Sequence, residues 1–147
     1  MNDHIKFYKV NDPFGCFSNF SKHSFNLDDE TWLTAEHYFQ SRKFLDENVK
    51  EKIRAVESPM DAALIGRNRN YSLVKNWESI KDEVMRVAVF AKFSQNDDIK
   101  EILLSTGDAK IVEHTKNDSY WGDGGDGNGK NMLGLILMET RIKLRDG

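Results

Sequence analysis

Apolar and polar positions alternate over residues 5–10, with Ile5 and Phe7 set against Lys6 and Tyr8, which is the period of a half-buried strand. The turn residues Asn11-Asp-Pro-Phe-Gly15 end it. Residues 23–27 and 30–33 flank Asp28-Asp29 as the two arms of a hairpin, and Thr34 then caps a helix that begins at the end of the second arm. Asp46 caps a second helix running to about Val56, with Val49 and Ile53 four apart on its buried side. Ser58-Pro59 opens a third over residues 60–65, with proline at its first position, and Gly66 stops it. The longest periodic stretch is 77–94, where Trp77, Ile80, Val84, Val87 and Ala91 predict the inward face of a central helix. Asn96 caps a helix through Leu104, closed by Gly107; residues 109–114 read as a strand. Asn131 then caps a last helix with Leu133, Ile136, Leu137 and Leu144 inward. This order predicts an α+β fold: one compact, helix-rich domain over residues 1–147 with a small β-sheet.

Composition narrows the partners. With 39% hydrophobic and 31% charged residues, the chain is of the soluble globular type. Its formal charge of -3 leaves no basic footprint for duplex DNA. The lone Cys16 excludes an internal disulfide, and His4, His23, His37 and His114 show no zinc-site spacing, so neither a metal nor another cofactor is called for. The opening Met1-Asn-Asp-His4 is polar, and no apolar run approaches the ~18 residues of a membrane span. A cytoplasmic protein is expected, with no membrane association and no obligate protein partner evident.

Four stretches carry candidate chemistry. Thr34-Ala-Glu-His-Tyr-Phe-Gln-Ser-Arg-Lys43 places a carboxylate, an imidazole and an amine on one short helix; Glu36 and Lys43 are seven apart, so they return to nearly the same face. Each is otherwise an ordinary surface charge. Ser18-Asn19 lies between Phe17 and Phe20, either as a turn whose rings fill the core or as a rim where Phe17 stacks on a flat ligand and Ser18 and Asn19 hydrogen-bond it. Arg67-Asn-Arg69 follows a helix end, where a guanidinium either clamps phosphate or satisfies nearby carbonyls. Trp77, in the first turn of its helix, either closes the core or projects into a cleft.

Asp118-Ser-Tyr-Trp-Gly-Asp-Gly-Gly-Asp-Gly-Asn-Gly-Lys-Asn131 matches two familiar patterns by accident. Gly122 to Gly127 fits the dinucleotide fingerprint, but no helix opens there and too little chain follows. Gly124 to Lys130 fits most of a P-loop, yet Asn131 stands where a magnesium-holding hydroxyl belongs. The positive reading is a flexible loop whose glycines, Gly122 among them, bring backbone N–H groups close to a ligand and deliver them to the last helix at Asn131.

Taken in order, Phe17-Ser-Asn-Phe20, Thr34-Ala-Glu-His-Tyr-Phe-Gln40, Lys43-Phe44, Trp77, Asp118-x-x-Trp121-Gly122 and Asn131-x-Leu-Gly134-x-x-Leu-Met138-x-x-Arg141 make the chain resemble the NADAR, or YbiA-like, family over nearly its whole length. The resemblance implies a compact α+β fold and hydrolysis of N-glycosidic bonds between ribose and a nitrogenous base. It also implies functional positions at Glu36, Trp77, Asp118 and Trp121, with Lys43 as the amine implicated where ADP-ribose is the substrate. These types suit the chemistry, because positive charge grows on the sugar as the C1–N bond breaks and the base must leave protonated. On that resemblance Glu36 or Asp118 protonates the base or positions water, or Lys43 attacks C1 of an opened ribose as a neutral amine, and Trp77 and Trp121 sandwich the heterocycle; apart from the resemblance, Arg67 or Arg69 and the loop N–H groups are the candidates to hold phosphate. The expected substrate is a small phosphorylated nucleoside-like molecule, a ribosylamino-pyrimidine intermediate of riboflavin biosynthesis. Alternatives are ADP-ribosylated guanine in nucleic acid, or a non-catalytic reader of nucleotides or ADP-ribose.

Overall fold

A computed structural model describes residues 4–147; the polar opening residues read above as lacking a signal core lie, as far as residue 3, outside the described residues. The element order is β1 (His4–Phe7), a 3-10 turn (Gly15–Phe17), β2 (Phe25–Leu27), β3 (Glu30–Trp32), α1 (Ala35–Ser41), α2 (Glu47–Ala55), α3 (Pro59–Gly66), α4 (Trp77–Gln95), α5 (Asp97–Ser105), β4 (Lys110–Glu113) and α6 (Met132–Asp146). The helix-rich α+β reading holds, with the strands among the described residues in two two-stranded sheets rather than one. The chain divides into two compact units, residues 22–92 and the combined segments 1–21 and 93–147, each described by itself below.

In the unit of residues 22–92, the hairpin turns at Asp28 and Asp29, both left-handed with φ of 54° and 65°. That pairing is the tight turn whose twist matches the strands, and aspartate tolerates it because its short polar side chain can bond locally. Phe25 faces Trp32 across the ladder, and the Trp32 indole N–H donates to the Leu27 carbonyl at 2.9 Å. The hairpin is tied to α1 by the Tyr38 hydroxyl, which donates to Asp28 Oδ2 at 2.8 Å, and by the Arg42 guanidinium, which lies over the Trp32 and Tyr38 rings. Phe25, Trp32, Ala35, Tyr38, Ala88 and Ala91 form one core cluster; Phe44, Val49, Ile53 and Ala62 form another where α2 and α3 pack on α1. Three of the predicted caps form, with Thr34, Asp46 and Ser58 each accepting a backbone N–H of the following turn, whereas Asn96 stands at the cap position of α5 without a side-chain cap bond.

The buried face of α4 is rotated from the predicted stripe. Trp77 and Ala91 are buried, but Val87 is exposed, and Met85, Ala88 and Val89 are inside instead. Small Ala88 and Ala91 suit the close contact with the aromatic cluster, so shape, not hydrophobicity, selects the face.

In the other unit, β1 pairs in parallel with β4, Ile5 opposite Ile111 and Phe7 opposite Glu113. The ring of Phe17 is 0% exposed and packs on Phe7, Phe14 and Phe93, so of its two readings the core one holds. Leu133, Ile136 and Leu137 of α6 are buried as predicted, while Leu144 is only partly so. Arg141 is buried too, its guanidinium donating to Thr106 Oγ1 and the Ala109 carbonyl, which fastens α6 to the segment entering β4.

Candidate active site

Glu36 stands in the first turn of α1, where a carboxylate favours the positive end of the helix dipole. Its Oε2 accepts a hydrogen bond from Gln40 Nε2 at 2.7 Å, one turn along the same face. The expectation that Glu36 and Lys43 share one helix needs correction: α1 ends at Ser41, and Lys43 lies beyond the cap at Arg42, its N–H bonding the Gln40 carbonyl. The two remain electrostatically coupled. Burial pushes the Lys43 ammonium below its usual 10.5; Glu36 pulls it back up, Arg69 and Arg67 push it down, and Glu78 opposes them. Lys43 Nζ lies 3.5 Å from the Gly66 carbonyl, to which it donates, and 5.8 Å from the centre of the Phe39 ring. The unit thus assembles an amine, a carboxylate and two exposed guanidinium groups from α1, the turn after it and the loop after α3.

Trp77 belongs to the same unit and is 6% exposed, its indole edge-on to Phe39 with centroids 5.1 Å apart. Arg67 serves as the α3 cap residue through its backbone N–H, leaving its side chain exposed. The imidazole expected on the working face is instead interior. His37 is fully buried; a carbonyl only accepts, so Nε2 carries the proton toward Val56 O at 2.9 Å, and Nδ1 accepts from Thr34 Oγ1 at 2.7 Å. Burial lowers its pKa below 6.5 against the Val56 hydrogen bond, which keeps the ring neutral and structural. Gln40 is the residue that sequence reasoning passed over. Its spacing of four from Glu36 was the available signal.

In the other unit, Asp118 Oδ1 accepts the N–H groups of Tyr120 and Trp121 at 2.9 and 2.8 Å, forming a turn that presents the two rings edge to face. The glycine segment is not the flexible loop expected. Asp123, 4% exposed, accepts from Thr115 N and Gly125 N through Oδ1 and pairs with His114 Nδ1 through Oδ2 at 2.8 Å. Burial raises the Asp123 pKa, but the hydrogen bonds from His114, Gly125 and Thr115 outweigh it and hold the carboxyl below 3.8. Gly124 N, Gly129 N, Lys130 N and Asn131 N bond carbonyls inside the same segment, so these amides are committed to a knot. At Gly125, φ is 87° and Lys116 is the nearest neighbour, so a side chain there would be both strained and crowded.

Three further expectations change. Asn131 sits at the cap position in the left-handed region and makes no side-chain cap; its amide receives Glu113 N and donates to the Ile111 carbonyl, bracing β4 against α6. Ser18 is buried, and its hydroxyl accepts from Phe20 N, the bond of a local turn. Gly122 is buried against Thr115 and the Glu113 carbonyl, where no side chain would fit. Among the described residues, no group of three or more His, Cys, Asp and Glu could hold a metal, and no helix is long and apolar enough to cross a membrane.

The NADAR domain model matches residues 6–145. The chain belongs to the NADAR family. It is 56% identical over 140 residues to the N-glycosidase YbiA of Escherichia coli strain K12, covering 95% of this chain and 88% of that protein. A riboflavin biosynthesis protein of Vibrio vulnificus is 38% identical, with 99% of this chain matching 40% of that longer protein. The NMR structure of E. coli YbiA superposes with a TM-score of 0.92 at 54% identity, over 99% of this chain and 88% of that one. The expected NADAR fold is therefore the fold found. The enzyme class expected, a hydrolase of N-glycosyl compounds, is the class that the YbiA name carries.

Proposed function

We propose that this NADAR domain is an N-glycosidase that cleaves the ribose-to-base bond of a phosphorylated ribosylamino-pyrimidine, an intermediate of riboflavin biosynthesis, in the cytoplasm. The observation that carries the reading is the coupling of a desolvated Lys43 amine to Glu36 beside two guanidinium groups. The C1–O4′ bond of the ribosylamine breaks as a proton passes to O4′, which leaves an iminium at C1. Neutral Lys43 Nζ forms a bond to C1, the C1–N bond to the base breaks, and Glu36 delivers the proton with which the aminopyrimidine leaves. Water then adds to the enzyme-bound imine, returning the amine and releasing ribose phosphate as the aldehyde. Direct addition of water to C1, with Glu36 protonating the departing base, needs no covalent adduct. Arg67 and Arg69 suit the phosphate. The riboflavin name carried by the Vibrio relative supports the pyrimidine as the base.

The test is an assay of purified protein on a ribosylamino-pyrimidine phosphate and, in parallel, on an oligonucleotide carrying ADP-ribosylated guanine. Release of free pyrimidine and ribose phosphate from the first is the expected result. Turnover of the oligonucleotide alone would move the reading to the ADP-ribose branch, and turnover of neither to a non-catalytic reader.

A further inference from the structure

Gln40 is 5% exposed, and its two amide atoms have opposite fates. Nε2 donates to Glu36 Oε2 at 2.7 Å, whereas Oε1 is buried with no hydrogen-bond partner. An orphaned buried acceptor is costly, so something other than stability keeps the amide there. The surroundings explain how it is held. Gly66, the last residue of α3, lies so close that a Cβ on it would sit 1.9 Å from Gln40 Oε1 and 2.6 Å from its Cδ. The same Gly66 supplies the carbonyl that receives Lys43 Nζ. One backbone position therefore clamps the amide that grips Glu36 and anchors the amine.

We propose that Gln40 is a positioning residue for Glu36, and that residue 66 is glycine because the Gln40 amide occupies the volume of a side chain there. Packed against Gly66, the amide has its NH2 aimed at Glu36, which fixes the carboxylate rotamer on the side of Lys43. The orphaned Oε1 is the cost of that aim. The inference rests on the reading of Glu36 as a reacting group, so its test measures the two separately.

The variants are Gln40→Met, Gly66→Ala, Gln40→Ala, the double variant Gln40→Ala with Gly66→Ala, Glu36→Gln, and Gln40→Met with Glu36→Gln. Each is assayed for kcat, KM and thermal unfolding on the ribosylamine substrate. Methionine fills the space of glutamine without its polar atoms, so Gln40→Met is expected to unfold at the wild-type temperature or above it. Its kcat is expected to fall about tenfold to a hundredfold with KM little changed, the scale of a misplaced reacting group. A structural residue would lose stability and keep kcat. Gly66→Ala alone is expected to lower kcat similarly by dislodging Gln40, and to cost little further in the Gln40→Ala background, where the clash with the amide is gone and only the 3.2 Å contact with the Cβ of residue 40 remains. In the Glu36→Gln background, Gln40→Met is expected to have no additional effect. Wild-type kcat in Gln40→Met, with Glu36→Gln strongly impaired, would overturn the positioning role while leaving Glu36 in place. Near-normal turnover in Glu36→Gln would overturn the reading of Glu36, and the positioning role with it. Should Gln40→Met fail to fold, the Gly66→Ala pair decides: equal losses in the presence and absence of the Gln40 side chain overturn the proposal.

Discussion

On the imine route Lys43 has to attack as the neutral amine, and its burial lowers the pH at which that form accumulates, so this route predicts turnover rising with pH at values where an exposed lysine would still be charged. Borohydride added during turnover should join sugar to protein, and Lys43→Arg should abolish the adduct, since a guanidinium stays protonated. With no adduct in the wild type, direct hydrolysis is the route and Lys43→Arg keeps most of the rate. In either case Glu36→Gln should cost at least about a hundredfold in turnover, the contribution of positioned proton transfer; were Glu36 only a helix-start residue, the loss would be about 1 kcal/mol of stability. Trp77 makes a separate demand. Its indole is buried against Phe39, so Trp77→Ala should lower unfolding free energy by about 3 to 5 kcal/mol, read by denaturant titration. Unchanged stability with affinity weakened by about 1 to 3 kcal/mol would instead place the ring in binding. At this scale the geometry of the candidate site was partly legible. Glu36 was visible because a first-turn acid has its own sequence signal, whereas the place of Lys43 beyond the helix end and the aim of Gln40 depend on how α3 ends at Gly66.

Elements whose ends are written in local chemistry were the most legible: the caps at Thr34, Asp46 and Ser58, and the hairpin closed by Asp28 and Asp29. What escaped was set by partners distant in sequence. The pairing of β1 with β4 joins Ile5 to Ile111, and no local pattern announces it. Nor does composition show that the glycine segment is knotted by Asp118 and Asp123, because glycine permits either a loose loop or tight turns. Two predictions belong here. His37 at the start of α1 is held neutral, so its folded pKa lies below 6.5, and the stability it contributes is complete above that value and lost as pH falls through the folded pKa. The melting temperature of the wild type should therefore drop between about pH 7 and pH 5 more than that of His37→Gln, which has no proton to gain. Equal drops would show that other groups govern the acid limb. Asp123→Ala should strip the acceptor from Thr115 N and Gly125 N, costing at least about 2 kcal/mol and speeding hydrogen exchange at both amides. Unchanged exchange there would mean that the carbonyl bonds of the segment hold the knot alone.

For the molecule as a whole, charge separates the two substrate branches in a way that no single residue does. The formal charge is -3, so a polynucleotide meets net repulsion and must be held locally by groups such as Arg67 and Arg69, which are exposed in the loop after α3. A strand held through its phosphates releases condensed counterions, and its affinity falls with salt by a slope of about -0.7 for each phosphate neutralised. Were three phosphates held, raising salt fourfold would weaken binding about twentyfold. A small phosphorylated ribosylamine carries no condensed counterion atmosphere and loses only the screened attraction of its one phosphate. The expected outcome is therefore a KM for the ribosylamino-pyrimidine that rises no more than about twofold when salt goes from about 50 to 200 mM. Charge reversal at both arginines, Arg67→Glu with Arg69→Glu, should raise KM and invert what salt dependence remains, because added salt then screens a repulsion, with kcat changing less. A steep salt dependence on the small substrate would mean that its recognition is dominated by several charge contacts, and the two-guanidinium account of phosphate binding would fall. Weak salt dependence unaltered by the arginine reversals would instead move the phosphate away from this loop.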